Sequence, residues 1–250
     1  MNRQNIYNDD VFFESYKQLR SRTNANEIIE IPALFAMLPS LNGLRILDLG
    51  CGYGEHCVKY IEMGAEEVVG IDISEKMLEI ANKENSSTRI TYKKLAMEEL
   101  VELDTYFDLV VSSLALHYVE DYKMVMEQVY RLLNSGGRFI FSQEHPFSTC
   151  FTYGSRWTKD ENGNKLYANI SNYSINGKRE SRWFNDGVIK YHRTFSSIVN
   201  TLIDSGFCIE QMSEPIPSEA VMNQHTEYMD NIHKPDFLLI SVKKRFRDCG

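Results

Sequence analysis

Residues Ile46-Leu47-Asp48-Leu49 form a short apolar strand pattern that runs directly into Gly50-Cys51-Gly52-Tyr53-Gly54, with glycine at alternate positions. Glycine reaches positive φ at no steric cost and lets a ligand lie against bare backbone. A strand that ends in such a turn and leads into a helix is a place for a nucleotide-like molecule. The run divides the chain into a common scaffold and a private part, and the private part must hold the specificity.

The surrounding pattern supports that division. Two helices are expected in the first forty residues, over 9–20 and 25–37, the second ending before Pro39, which cannot continue a helix. Strand and helix patterns then alternate: strand 45–49, a helix over 54–63 stopped by Gly64, strand 67–72, and a helix capped by Ser74. Strands follow at 89–94 and 107–112, the latter nearly all apolar, as in a strand buried on both faces. A helix over 121–133 carries Tyr122, Val125, Val129 and Leu132 on one face; Asn134-Ser135-Gly136-Gly137 stops it, and Arg138–Ser142 reads as a fifth strand. From Phe147 to Arg193 helical periodicity is absent, and Asn162-Gly163, Asn176-Gly177 and Asp186-Gly187 are hairpin dipeptides. The alternation resumes with a helix over 195–205, capped by Thr194 and stopped by Gly206, and strands at 207–212 and 237–243. This predicts a doubly wound α/β fold with a mostly parallel seven-stranded sheet and a β-rich cap inserted after strand 5. The expected organisation is N-terminal helices over 1–40, a core over 41–146 and 194–250, and the inserted segment over 147–193.

Composition narrows the function classes. A net charge of -8 does not favour long-range attraction to nucleic acid or to an anionic membrane. The first residues lack the apolar core of a secretory signal, and no run of about 18 apolar residues would span a bilayer. Five cysteines without a Cys-x-x-Cys pair point to reduced thiols in a cytoplasmic protein with neither a disulfide framework nor a metal site.

Asp72 sharpens the glycine signal. It closes an apolar strand about twenty residues after the turn, where a carboxylate accepts both hydroxyls of a ribose. The Gly-x-Gly-x-Gly spacing departs from the Gly-x-Gly-x-x-Gly of dinucleotide sites. Four segments, Ile46–Gly54, Val69–Leu78, Phe107–Tyr118 and Leu133–Gly137, together resemble the class I S-adenosylmethionine (SAM) methyltransferases of the small-molecule type, in family order and with family spacing. The resemblance implies a Rossmann-like sheet with SAM as donor and S-adenosylhomocysteine (SAH) as product. It places Gly50, Cys51, Gly52, Tyr53 and Gly54 against the methionine part of SAM, Asp48 near its ammonium group, Asp72 on the ribose, and Ile73 and Met77 beside the adenine. Ala96 stands where many relatives carry an acid facing the adenine amine, leaving Met97 and backbone contacts there, with Glu98 a weaker candidate. Ser113, Leu114 and His117 would line the pocket by the sulfonium, and Tyr7, Tyr16 and Arg20 resemble the residues with which some relatives close over the SAM carboxylate.

Methyl transfer from a sulfonium chiefly requires alignment and exclusion of water, with a base only where the nucleophile arrives protonated. His145, at the carboxyl end of the fifth strand and held extended by Pro146, is the expected base, with Glu144 and His192 behind it. The segment 147–193 holds nine aromatics and a local charge of +4, which suits a flat or anionic acceptor; Tyr153, Trp157 and Trp183 are its candidate substrate contacts. The same aromatics would also serve as the cap's own core or a dimer interface. The reading is a methyltransferase acting on a small molecule at nitrogen or oxygen, without nucleic-acid or membrane partners, as a monomer or homodimer. An RNA or protein methyltransferase, an NAD(P)-dependent oxidoreductase and a non-catalytic SAM-binding protein are the alternatives.

Overall fold

A computed structural model describes residues 24–183 and 185–245, the side chains of 181–186 excepted, together with Asn5, Asn8, Asp9, Phe13 and Glu14. The expected first helix falls mostly outside these residues. The second is present as α1 (Ile31–Ala36), entered through a π-helical turn over Asn26–Glu30.

The alternation of strands and helices follows the sequence closely: β1 (Arg45–Leu49), α2 (Glu55–Glu62), β2 (Glu67–Asp72), α3 (Glu75–Glu84), β3 (Ile90–Lys94), β4 (Phe107–Ser112), α4 (Tyr122–Leu132) and β5 (Leu133–Glu144). Ser74 caps α3 by accepting from the Met77 N–H, and Asp121 caps α4 by accepting from Met124. β5 begins at Leu133 instead of Arg138. Leu133 pairs with Phe107, the register then slips, and Arg138 pairs with Leu109, so the Asn134–Gly137 segment bulges from a strand already begun.

After β5 come α5 (Pro146–Thr149), β6 (Trp157–Lys159), β7 (Lys165–Ala168), β8 (Gly177–Trp183) and β9 (Asn185–His192), then α6 (Phe195–Asp204), β10 (Phe207–Ser213), α7 (Glu219–Gln224) and β11 (Phe237–Lys244). Seven strands form one sheet in the order β10-β11-β5-β4-β1-β2-β3, parallel except for β11, which runs antiparallel to both neighbours. Alternate residues divide between its faces. Leu47, Leu49 and Val110 pack with Val125, Val129, Ile198 and Leu202 of α4 and α6. Ile46, Leu109 and Val111 pack on the other face with Leu34, Tyr60 and Ile61 of α1 and α2. Both faces are covered, which is why these strands read as continuous apolar runs.

The inserted segment holds two separate hairpins, β6–β7 and β8–β9, instead of one sheet. Of the three expected hairpin turns only Asn162-Gly163 connects paired strands, with Asp160 Oδ1 accepting from the Asn162 and Asn164 N–H groups. Asn176-Gly177 instead anchors the insertion to the core: Asn176 accepts from the Thr194 N–H and donates to Ser197 at the start of α6. Asp186-Gly187 lies within β9, since Trp183 already pairs with Asn185, and Gly187 at φ 85 serves the bulge in that ladder. No helix among the described residues is long and apolar enough to cross a membrane.

Candidate functional site

The sheet's chain order reverses between β1 and β4, so the loops leaving their carboxyl ends diverge and open a crevice. The glycine turn forms one wall of it. Gly50 sits at φ 73 under Ala115, whose Cβ would lie 2.7 Å from a Cβ placed on Gly50. Gly52, at φ 54, has nothing within 4 Å of where its Cβ would be, so its bare face borders open space. The Gly52 N–H and the Ser74 N–H donate to the two carboxylate oxygens of Asp72, at 3.0 and 2.7 Å. Each oxygen retains acceptor capacity for a ribose hydroxyl. Burial pushes the Asp72 carboxyl up, against the pull of the backbone N–H groups of Ser74, Gly52 and Ile73.

A cavity of about 740 Å³ extends from this turn, within the range of about 300–1,000 Å³ typical of small-molecule sites. Ile73, Met77, Ala96 and Met97 line one end with Asp72, and Ser113, Leu114 and His117 line the middle with Gly50, Cys51, Gly52 and Tyr53. Its wall carries the carboxylates of Glu30, Glu55, Asp72, Glu98, Glu120, Asp121 and Glu144 and, among the described residues, no lysine or arginine. Such a lining suits a ligand with a sulfonium and an ammonium. The donor-side residues present therefore fit SAM.

Some expected site residues stand elsewhere. Asp48 lies buried beneath the turn, accepting from the Cys57 thiol at 3.4 Å, outside the cavity lining; burial raises its carboxyl to about 7. Gly54, at φ 80, starts α2 against Tyr92, also outside the lining. Tyr7, Tyr16 and Arg20 lie outside the described residues. Their neighbours do reach the site: Asn5 donates to the Ile73 carbonyl at 2.9 Å, Asn8 Oδ1 accepts from the Ser74 hydroxyl at 2.8 Å, and Phe13 meets Tyr53 edge-on.

On the acceptor side the sequence expectation needs correction. His145 is buried away from the cavity: its Nδ1 accepts from the Phe147 N–H at 3.1 Å, so Nε2 carries the proton and donates to Glu214 at 2.8 Å. His192 donates from Nε2 to the Tyr173 carbonyl and accepts at Nδ1 from the Thr149 hydroxyl, both at 2.8 Å. Burial lowers the pKa of each; His192 fastens the insertion, and His145 ties the end of β5 to the loop after β10. Tyr153 is largely exposed, and Trp157 packs between Lys165, Lys234 and His233, so neither reaches the cavity; the Trp183 side chain lies outside the described atoms. Glu144 does face the cavity. Burial would raise its carboxyl, but the neighbouring His117 imidazole, the Lys190 charge and the Lys190 hydrogen bond hold it below the usual range.

Among the lining residues that escaped the sequence reading are Glu30, Ile189 and Tyr191. Glu30, fully buried in the π-helical turn, accepts from the hydroxyls of Ser113, at 2.9 Å, and Ser142, tying α1 to β4 and β5. An acid inside Ile28-Ile29-Glu30-Ile31 was the available signal. Leu114, an expected lining residue, takes a left-handed conformation, φ 51, while its N–H is held by Ser142. That strain sits at the cavity wall, where functional sites commonly store it. Ile189 and Tyr191 bring β9 of the insertion to the far end of the cavity, secured by Arg193, which donates to the Val119 and Glu120 carbonyls.

A doubly wound sheet with a glycine turn, an acid closing the second strand beside it and an acidic cavity defines a fold of the methyltransferase type. A family model for a methyltransferase domain matches residues 47–141. A solved S-adenosylmethionine-dependent methyltransferase of Mesorhizobium loti is 42% identical, with TM-score 0.78, covering 86% of this chain and 97% of that one. A candidate member of the same class from Listeria monocytogenes is 39% identical, with the same TM-score, covering 86% and 96%. A Haemophilus influenzae protein without an assigned activity is 41% identical over 97% of this chain and 98% of its own length. The chain belongs to the SAM-dependent methyltransferases; it is an enzyme, and SAM is its methyl donor.

Proposed function

We propose that this methyltransferase acts on a small molecule, at a nitrogen or oxygen that bears a proton, inside the cavity and not on a macromolecule at the surface. The observation that carries this reading is the continuity of one cavity from Asp72 at the donor end to Glu144 and Tyr191 at the other. SAM supplies an electrophilic methyl group on a sulfonium whose departure leaves a neutral thioether. The chain's own residues orient and dehydrate. Asp72 receives the ribose hydroxyls, the bare face of Gly52 admits the methionine part, and Ile73, Met77 and Met97 flank the adenine. Glu144, held ionised, accepts a hydrogen bond from the N–H or O–H of the acceptor, so aims its lone pair, and takes up that proton as the new bond to the methyl carbon forms and the bond to sulfur breaks. Neutral His117 accepts the Glu144 N–H at Nδ1, which leaves its proton on Nε2 as a donor. The residues expected to close the donor site, Tyr7, Tyr16 and Arg20, belong to the same proposal, as do a cytoplasmic location and the role of 147–193 as a substrate cap.

The test is incubation with methyl-labelled SAM and a host metabolite extract, followed by size separation. Label in the low-molecular-weight fraction is expected. Label found only in RNA or protein would overturn the small-molecule acceptor.

A further inference from the structure

Behind Glu144, on the far side from the donor, lies a second pocket of about 290 Å³. Glu144 and Phe237 belong to both pockets and form the wall between them. Their electrostatics are opposite. The first is lined by carboxylates; the second gathers Arg156, Arg179, Lys190 and Lys234 against Glu144 and Asp236, a surplus of two positive charges.

The surplus is built into the fold. Arg179 is 9% exposed, and the hydrogen bonds described for it go to the backbone carbonyls of Cys150, Asn172, Ile175, Gly177 and Lys178, which fix the guanidinium without neutralising it. Lys190 is 7% exposed and bonds Glu144 Oε1 at 2.5 Å. Lys234 spans Ser148 and Asp236. Arg156 stands at the rim over the Phe151 ring and donates to the Ser148 carbonyl. Bringing such like charges together is costly unless an anion joins them. The five Arg179 N–H groups are taken by those carbonyls, so it supplies charge alone, and Arg156 at the rim presents the guanidinium fork suited to a bidentate oxyanion.

We infer that this pocket binds an oxyanion, a carboxylate or a phosphate, and that the group belongs to the methyl acceptor, whose nucleophile passes the Glu144–Phe237 wall into the donor cavity. The acceptor is then anionic at one end and bears its N–H or O–H at the other. Arg156, Arg179 and Lys190 of the insertion serve this second pocket, while the methyl donor keeps the acidic one. The inference rests on the small-molecule reading above, and the experiment separates the two.

Melting temperatures of the full chain are compared in sodium phosphate and in sodium chloride at equal ionic strength, for the wild type and for Arg156→Ala/Lys234→Met. The expected excess shift in phosphate is about 2–4 °C in the wild type, by mass action on the native state. It disappears in the double variant, while the SAH-induced shift is the same in both proteins. Arg156→Ala alone, an exposed position, gives a partial loss if the double variant folds poorly. Equal phosphate effects in all proteins would overturn the site. Labelled extract product is then passed over an anion exchanger. Retention, with at least tenfold lower yield from the variant, assigns the anion to the acceptor; an unretained product, or an unchanged yield, overturns that assignment and leaves free phosphate as the occupant. Absence of any small-molecule label defeats the functional reading alone, since the phosphate comparison does not depend on turnover.

Discussion

His117 and Asp48 titrate in opposite senses within a short distance of the glycine turn. Burial lowers His117 from 6.5 to about 4. Between those values the unfolded chain binds a proton the native chain does not, so this histidine's contribution is complete above pH 6.5 and lost as pH falls toward 4. Burial raises Asp48 from 3.8 to about 7, where the native chain holds the extra proton, so its contribution is complete near pH 4 and lost as pH rises through 7. The two slopes oppose over pH 4–6.5 in the wild type. Replacing one exposes the other: urea unfolding of His117→Gln is expected to show stability declining relative to wild type as pH rises over this interval, and Asp48→Asn the reverse. The span for His117 corresponds to roughly 3 kcal/mol. Parallel profiles in all three proteins would show that these groups do not titrate as described.

At the scale of the element, the strand–turn–helix unit from β1 to α2 separates folding from binding along its own length. A side chain on Gly50 would meet Ala115 and stand in the left-handed region, whereas one on Gly52 would project into the cavity. Gly50→Ala is therefore expected to cost at least about 1–2 kcal/mol of stability, the left-handed penalty plus the clash. Gly52→Ala carries a similar or smaller backbone penalty but places a methyl group in the cavity, at the position proposed for the donor. Its thermal shift with SAH is expected to fall to near zero while the apoprotein still melts cooperatively. A full SAH shift in Gly52→Ala would remove that residue from the donor site. This element was legible in the sequence because its information is local: apolar alternation, glycine spacing and one terminal acid each fix a backbone geometry.

For the whole molecule, the inserted segment is built as two hairpins, but most of the residues expected to face an acceptor lie outside the cavity. Among the described residues the insertion reaches the donor cavity only through Ile189 and Tyr191, and His192 and Trp157 serve packing. Tyr191→Ala is expected to lower label transfer to the acceptor by tenfold or more with the SAH-induced melting shift unchanged; a lost SAH shift would place Tyr191 at the donor instead. His145 was a reasonable reading of strand-end position, yet a one-residue step along β5 and into α5 turns consecutive side chains to opposite sides. Glu144 therefore faces the cavity and His145 faces Glu214. Glu30 could not be assigned from sequence, because its partners Ser113 and Ser142 are more than eighty residues away.

The order of elements along the chain, the glycine turn and the place of Asp72 were determined by the sequence alone, since each follows from short-range geometry that a few residues impose on the backbone, and the methyl donor was legible through the family resemblance those segments carry. Tertiary structure decided which face each candidate presents. Burial and long-range pairing turned His145 and His192 into fasteners and left Glu144 at the boundary between the two pockets. They also gathered Arg156, Arg179, Lys190 and Lys234, scattered along the chain, into one pocket of common charge. Side-chain direction depends on register and on neighbours distant in sequence, and no local pattern encodes it.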